Sequence, residues 1–249
     1  MKLKDKVALI TGSSRGIGRQ TAIEMAKEGC NIIINYNISE LVAQKLKQEI
    51  EETYKVKVLT IKANVSNEEE VENMVKQAIK EFKKIDILVN NASIARDNFI
   101  TEKTKEEFLS VINTNLIGTF LATKYVSKYM LEQKQGKIIN VTSTNAIDTY
   151  YPESIDYDAS KAGVISLTHN FANYLAPYIT VNAVAPGWTN TDMNKELTKE
   201  QIKNEEQKIL LNRFAEKDEI AKVITFLATD DANYINNTII RVDGGVKNA

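Results

Sequence analysis

Apolar positions along this chain follow two rhythms that take turns. Short β-branched runs recur as KVALIT from residue 6, NIIINY from 31, VKVLTIKANV from 56 and DILVNN from 86, then GKIINVTS from 136, ITVNAVAPG from 179 and TIIRVDGG from 238. They are almost continuously apolar, as strands covered on both faces are. Between them, RQTAIEMAKEG, SELVAQKLKQEIEET and EEEVENMVKQAIKEF space their apolar residues three and four apart, on one face of a helix. Strand alternating with helix implies right-handed crossovers and a parallel sheet. Only 3 prolines and 10 glycines are present and no low-complexity linker divides the chain, so the pattern predicts one α/β domain over residues 1–249. The alternation breaks once, at 191–213, where MNKELTKEQIKNEEQKILLNR is helical in spacing and highly charged. Ligands of open α/β sheets bind beyond the carboxyl ends of the strands. The segment is therefore expected to be a substrate lid, with a solvated surface helix as the alternative.

Composition narrows the classes without choosing among them. Hydrophobic residues make up 43% and charged residues 26%, the balance of an ordinary globular protein. The net charge of −1 offers no basic excess for nucleic acid and no acidic tail. Cys30 is the single cysteine and His169 the single histidine, which excludes an internal disulfide, a Cys-based zinc site and a His-rich metal site. The opening MKLKDKVALITG lacks the long apolar core of a signal peptide, and no run reaches the 18 or so apolar residues of a membrane helix. A cytoplasmic location without a membrane partner is expected.

Two short stretches carry chemistry. TGSSRGIG sets Gly12, Gly16 and Gly18 between the first strand and the first helix. Glycines there let the backbone approach a diphosphate whose charge the helix N-terminus holds. The spacing is G-x-x-x-G-x-G, and the bland alternative is a tight turn without a ligand. IDYDASKAGV sets Tyr157 and Lys161 four apart, on one face of a helix. A phenol beside an ammonium can protonate a carbonyl oxygen, because the ammonium is expected to lower the tyrosine's pKa from about 10. Alone, such a pair also arises by chance.

Together with NNAS, INVTS and APGWTNTDM, these stretches stand in the order found in the short-chain dehydrogenase/reductase family. The resemblance runs from Lys6 to Gly245. It is strongest to the 3-oxoacyl-[acyl-carrier-protein] reductases, through DILVNNASIARDNF, LLNRFAEKDEIAKVITFLATDDANYI and RVDGG. It implies a Rossmann-type, doubly wound parallel sheet of seven strands with helices on both faces. It also implies a homotetramer, with interfaces on the last strand and on the helices bearing Asn115 and Tyr157. By the same resemblance Tyr157 protonates the substrate oxygen, Ser143 hydrogen-bonds it, and Lys161 supports the phenol and binds the nicotinamide ribose. Asn115 holds a water beside Lys161. Thr142 and Thr144 stand next to Ser143 and Asn113 near Asn115, and either could be mistaken for its neighbour. His169, on the same helix as Tyr157, reads as a packing or interface residue.

The cofactor positions implied are Gly12, Ser14, Arg15, Gly16, Ile17 and Gly18 in the glycine turn, Tyr36 and Asn37 after the second strand, and Asn64 and Val65 after the third. Asn91, Ala92, Tyr157, Lys161, Pro186, Gly187 and Thr191 complete the set. Ser93 departs from the family's usual glycine. Tyr36 stands where an NAD-preferring relative carries a carboxylate, and Arg15 could pair with a 2′-phosphate. Both favour NADP (NADPH) over NAD, although no basic residue follows Tyr36. The substrate is less legible. Lys134 and Lys137 are candidate contacts for an acidic acyl carrier protein, whereas Asp148, Glu153, Asp156 and Asp158 would oppose one. Tyr150 and Tyr151 could instead line a pocket for a small ketone, alcohol or sugar. A non-catalytic nucleotide-binding regulator on the same fold is the third possibility, and the intact Ser143, Tyr157 and Lys161 argue against it.

Overall fold

The computed structural model describes residues 1–195 and 197–246, without the side chain of Met193. The domain expected over 1–249 and the segment 191–213 thus extend in part outside the described residues. Seven strands, β1 (Val7–Ile10), β2 (Asn31–Tyr36), β3 (Val58–Lys62), β4 (Ile87–Asn90), β5 (Gly136–Val141), β6 (Ile179–Pro186) and β7 (Ile239–Val242), form one sheet. Their order is β3-β2-β1-β4-β5-β6-β7, and every pairing is parallel. The helices are α1 (Gly16–Lys27), α2 (Glu40–Tyr54), α3 (Glu68–Phe82), α4 (Lys105–Ile112), α5 (Gly118–Gln133), α6 (Ile155–Leu175), α7 (Lys199–Gln207) and α8 (Lys217–Ala228). The expected doubly wound, seven-stranded parallel sheet is the one found.

Successive strand residues face opposite ways. Ala8, Ile10, Ile32, Ile34, Ile87 and Val89 pack against α1, α2 and α8 through residues such as Met25, Leu46 and Ile224. Val7, Leu9, Ile33, Leu88 and Ile138 pack against α3, α5 and α6 through Met74, Val126 and Leu175. A core on each face explains why the strands read as continuous apolar runs. The chain winds outward from β1 to β3, then returns to β4 on the other side of β1. The crevice at that reversal, beyond the carboxyl ends of β1 and β4, is where this architecture takes ligands.

Two devices bring the later elements to that crevice. Between α4 and α5 the helix widens into a π-helical turn, Asn113–Ile117, which carries Asn115 into the interior. Its side-chain Oδ1 accepts from the Ile94 amide and its Nδ2 donates to the Ile94 carbonyl, both at 2.9 Å. The loop after β4 is thereby fastened to the helix. The second device is an ion pair at the start of α6: Lys103 Nζ lies 2.9 Å from Asp156 Oδ2, with side chains 4% and 0% exposed. Lys103 also donates to the Arg96 carbonyl, and Asp156 Oδ1 accepts from the Tyr157 amide at 2.9 Å. Removing one partner leaves a buried charge uncompensated, at a cost of about 3–5 kcal/mol. Lys103→Met is therefore expected to lower unfolding free energy by about that much in urea titrations. Lys103→Met with Asp156→Asn should recover most of the loss; equal loss in single and double variants would contradict the pairing.

Candidate active site

Strand β5 and helix α6 are stitched together where β5 ends. Lys161 Nζ, on a residue 3% exposed, donates to the Val141 carbonyl at 2.8 Å. In return the Thr142 hydroxyl donates to the Lys161 carbonyl at 2.8 Å. Lys161 Nζ sits 5.5 Å from the centre of the Tyr157 ring. The Ser143 hydroxyl stands near the Tyr157 phenol and favours its ionised form. Thr142 is turned into the β5–α6 stitch, so Ser143 is the hydroxyl beside the tyrosine. The structure brings Ser143, Tyr157 and Lys161 to one place, at the carboxyl edge of the sheet.

Asn115 serves that group indirectly. Besides holding Ile94, its Nδ2 donates to Ser160 Oγ at 3.0 Å, and Ser160 Oγ donates to the Tyr157 carbonyl at 2.7 Å. These bonds tie the Asn115 side chain to the loop after β4 and, through Ser160, to the backbone of Tyr157. Asn113 is exposed. His169 is bonded to Asn237 at 2.6 Å, far along α6.

The electrostatics reverse one expectation. Burial pushes the Tyr157 phenol up to about 12, outweighing the lowering from the nearby Ser143 hydroxyl; the carboxylates of Asp158 and Asp97 raise it further. Burial likewise brings Lys161 down to about 7. Desolvation opposes charge on both groups, so the lysine does not depress the phenol as its sequence position suggested. Tyr157 therefore rests protonated at neutral pH. Between about 7 and the unfolded value near 10.4, the unfolded chain binds the Lys161 proton that the folded chain has released, so stability rises with pH. Above pH 10 the raised Tyr157 value acts oppositely, because the folded chain keeps the phenolic proton longer. In chemical denaturation of the cofactor-free protein, the rise from Lys161 should approach about 1.4 kcal/mol per pH unit, one proton's worth. Lys161→Met should remove it, and identical pH profiles for the two proteins would count against the buried neutral amine.

The glycine turn is braced from two strands. Gly12 N donates to Asn35 Oδ1 at 3.0 Å, and Asn35 Nδ2 donates to the Ala63 carbonyl at 3.0 Å. Asn91 Nδ2 donates to the carbonyls of Thr11 and Gly12 at 2.9 and 3.1 Å, while Thr11 Oγ1 accepts from the amides of Asn91 and Ala92 at 3.0 and 3.1 Å. Gly12 has φ +62°, and a Cβ there would lie 2.8 Å from Ala92 Cα. Gly16 has φ +60°, and a Cβ there would meet nothing within 4 Å: this part of the turn opens outward. Sequence reasoning passed over Asn35 and Thr11. The available signal was an amide interrupting the apolar run NIIINY; Asn35 is 1% exposed.

The remaining cofactor positions sit around this turn. Ser14 is buried, Ile17 half-buried and Arg15 exposed at the start of α1, near enough to Asp192 to help lower that carboxyl. Tyr36 is buried at the end of β2, with Asn37 exposed beside it. Asn64 turns its Oδ1 back to the Ser66 amide at 3.1 Å, and Val65 packs where a Cβ on Gly118 would collide with it. Pro186 closes β6, and the Gly187 amide bonds the Val242 carbonyl at 3.1 Å; Thr191 follows on that loop. Ser93 Oγ is buried and, among the described residues, has no hydrogen-bond partner.

The entrance differs from what the charges suggested. Asp156 is buried against Lys103, Asp158 accepts from Asn145 Nδ2 at 2.8 Å, and Asp148 is paired with Arg241 at 2.6 Å. Glu153 is exposed. The loop therefore does not present four solvated carboxylates. Nor do Lys134 and Lys137 flank the entrance of their own chain. They lie at the amino-terminal end of β5, opposite Ser143, and Lys137 Nζ donates to the Thr229 carbonyl at 2.8 Å. The wall facing α7 is aromatic: the Tyr151 hydroxyl donates to Glu205 Oε2 at 2.6 Å, Trp188 Nε1 to the same oxygen at 3.1 Å, and Trp188 stacks on Phe214 at 5.3 Å. Tyr150 is exposed. Among the described residues, no cluster of His, Cys, Asp and Glu could hold a metal ion, and no helix is long and apolar enough to cross a membrane.

Comparison with known proteins agrees with this geometry. A family model described as enoyl-(acyl carrier protein) reductase matches residues 12–247. A 3-oxoacyl-[acyl-carrier-protein] reductase of Synechocystis sp. is 44% identical over 98% of this chain and 98% of its own. Among solved structures, a levodione reductase superposes with a TM-score of 0.93 at 36% identity, covering 98% of each chain. A short chain dehydrogenase of Burkholderia cenocepacia, in complex with NADP, gives 0.92 at 30% identity, over 98% of this chain and 99% of that one. A glycine turn at the switch point, a serine and a tyrosine gathered beside a buried lysine, and full-length similarity to these proteins lead to one conclusion: the chain belongs to the short-chain dehydrogenase/reductase family, whose members are oxidoreductases acting on C=O and CH–OH groups.

Proposed function

We propose that this protein is an NADPH-dependent 3-oxoacyl-[acyl-carrier-protein] reductase, converting a 3-oxoacyl thioester to the 3-hydroxyacyl thioester. The observation that carries the reading is the Ser143–Tyr157–Lys161 group at the end of β5, in a chain so similar along its whole length to reductases of that name. The acidic loop had argued against an acidic protein partner. With Asp148, Asp156 and Asp158 each engaged within the chain, that objection loses most of its weight.

The residues around the glycine turn fit a dinucleotide. Open space at the positive-φ Gly16 leaves backbone available to a diphosphate at the start of α1, and the orphaned Ser93 hydroxyl stands on the crevice side of β4. Ser14, Ile17 and Gly18 would shape that contact. Tyr36, Asn37, Asn64 and Val65 would border the adenosine half, and Asn91, Ala92, Pro186, Gly187 and Thr191 the nicotinamide half. Tyr36 brings no carboxylate against a 2′-phosphate, and exposed Arg15 could exchange its attraction to Asp192 for one to that phosphate. NADPH, when bound, supplies the hydride.

This chain's own part is the proton and the oxygen. Ser143 donates a hydrogen bond to the substrate oxygen, where charge develops. Tyr157, its phenol raised to about 12, holds a proton at neutral pH and delivers it to that oxygen. Lys161, brought down to about 7, can exchange a proton at Nζ near neutrality and so help to reload the phenol. Asn115 keeps the backbone under Tyr157 in place through Ser160. The segment 191–213 acts as the lid, α7 closing on Tyr151 and Trp188 through Glu205. That aromatic wall also favours a second reading, a compact ketone as substrate. Assembly is proposed as a homotetramer, supported by the exposed Leu109, Ile117 and Phe120 on α4, the π-helical turn and α5, and by Tyr174 on α6. Sedimentation analysis should find particles of four chains; a monomer would oppose it.

NADPH oxidation is the direct measurement, with an acetoacetyl group offered on acyl carrier protein, on a small thioester and as a compact cyclic ketone. Preference for the protein-borne group, and for NADPH over NADH, is the expected result. Turnover of the cyclic ketone alone would select the second reading. Tyr157→Phe should lower kcat by about 10³-fold with NADPH affinity retained, in keeping with a positioned acid.

A further inference from the structure

A bridge outside the catalytic group joins the two segments that carry its hydroxyls. Asn145 lies two residues after Ser143, and Asp158 is the neighbour of Tyr157 on α6. Asn145 Nδ2 donates to Asp158 Oδ1 at 2.8 Å. A carboxylate only accepts, so the Asn145 amide must turn its NH2 to Asp158 and its Oδ1 the other way. That oxygen meets Ser143 Oγ at 3.4 Å, while the Asn145 backbone amide donates to the same Oγ at 3.2 Å. Ser143 is thus held from two sides by a residue whose orientation Asp158 dictates. The other Asp158 oxygen accepts from the Tyr151 amide at 3.2 Å, so the carboxylate has a fixed place of its own.

We infer that Asn145 and Asp158 are positioning residues for the reaction, setting the separation and relative orientation of the Ser143 and Tyr157 hydroxyls over the substrate oxygen. A donation into Ser143 Oγ from the Asn145 amide polarises the hydroxyl toward donating, which is its task at the substrate. The long contact to Oδ1 holds Ser143 in its rotamer yet yields readily when a carbonyl oxygen arrives. Neither residue needs to touch substrate. Their effect is on the geometry of the two that do, and a misplacement of about 1 Å at such a site costs up to about 10²-fold in rate. A sequence-level signal is absent, because an asparagine and an aspartate thirteen residues apart become partners only when β5 and α6 are laid side by side.

The inference rests on the carbonyl-reductase reading, and the unaltered enzyme's turnover tests that reading separately. With the wild type active, Asn145→Ala and Asp158→Ala should each lower kcat by about tenfold or more, with the NADPH dissociation constant and substrate KM within about threefold. The double alanine variant should be no worse than the poorer single one, since both remove one bridge. Asn145→Asp alone sets two carboxylates face to face and should be severely impaired. Asn145→Asp with Asp158→Asn rebuilds the bridge with donor and acceptor exchanged, and should recover at least about tenfold over Asn145→Asp. A kcat within twofold of wild type for Asn145→Ala, strictly multiplicative losses in the double alanine variant, or a swap that binds NADPH but recovers nothing would each overturn it.

Discussion

The proposed catalytic group hangs on the joint between the end of β5 and α6. Two buried hydrogen bonds make it: Lys161 Nζ to the Val141 carbonyl, and the Thr142 hydroxyl to the Lys161 carbonyl. A strand end frees carbonyls that no neighbouring strand takes, and burying one unpaired is costly. The lysine amine satisfies such a carbonyl and in doing so is itself buried, which lowers its proton affinity. Strand completion and acid–base tuning are thus one event. The apolar packing of Ala172 and Leu175 of α6 against Ile138 and Val181 holds the joint closed from behind.

Much of the fold was legible because a doubly wound sheet writes itself twice, in strands apolar on both faces and in helices apolar on one. KVALIT and NIIINY read as buried strands for the reason that Leu9 and Ile10 face different cores. Ser143, Tyr157 and Lys161 were legible through motifs with fixed spacing. What the sequence hid were polar residues whose partners are distant along the chain. Asn35 looks like a flaw in a strand until Gly12 and Ala63 approach it, and Lys103 and Asp156 look like two solvated charges until a loop covers them. The sign of the Tyr157 shift was hidden likewise, since a sequence gives neighbours but not dielectric surroundings.

The same blindness misjudged the entrance. Read along the chain, TNAIDTYYPESID and the Asp158 that follows form an acidic patch around Tyr157; in space three of the four carboxylates are structural anchors, and Glu153 stands exposed, without such a bridge among the described residues. Charge in the sequence predicts a field only where the side chains remain in water. Here three of four are drawn into bridges to a lysine, an asparagine and an arginine, so the loop is stiffened by the very groups that seemed to make it repulsive.

The π-helical turn has a consequence for phase. An α-helix advances about 100° per residue, so the residue that the wider turn accommodates rotates everything after it by roughly that angle relative to everything before. Helix α4 and helix α5 are accordingly one rod in outline but two in azimuth, the first facing α6, the second facing α3 and the sheet. The loop after β4 is fastened at the dislocation itself, where Asn115 grips Ile94. The rod's length is therefore not what the site measures. Its parity is, and a chain one residue shorter in this stretch would keep the helix while turning its grip away from the crevice.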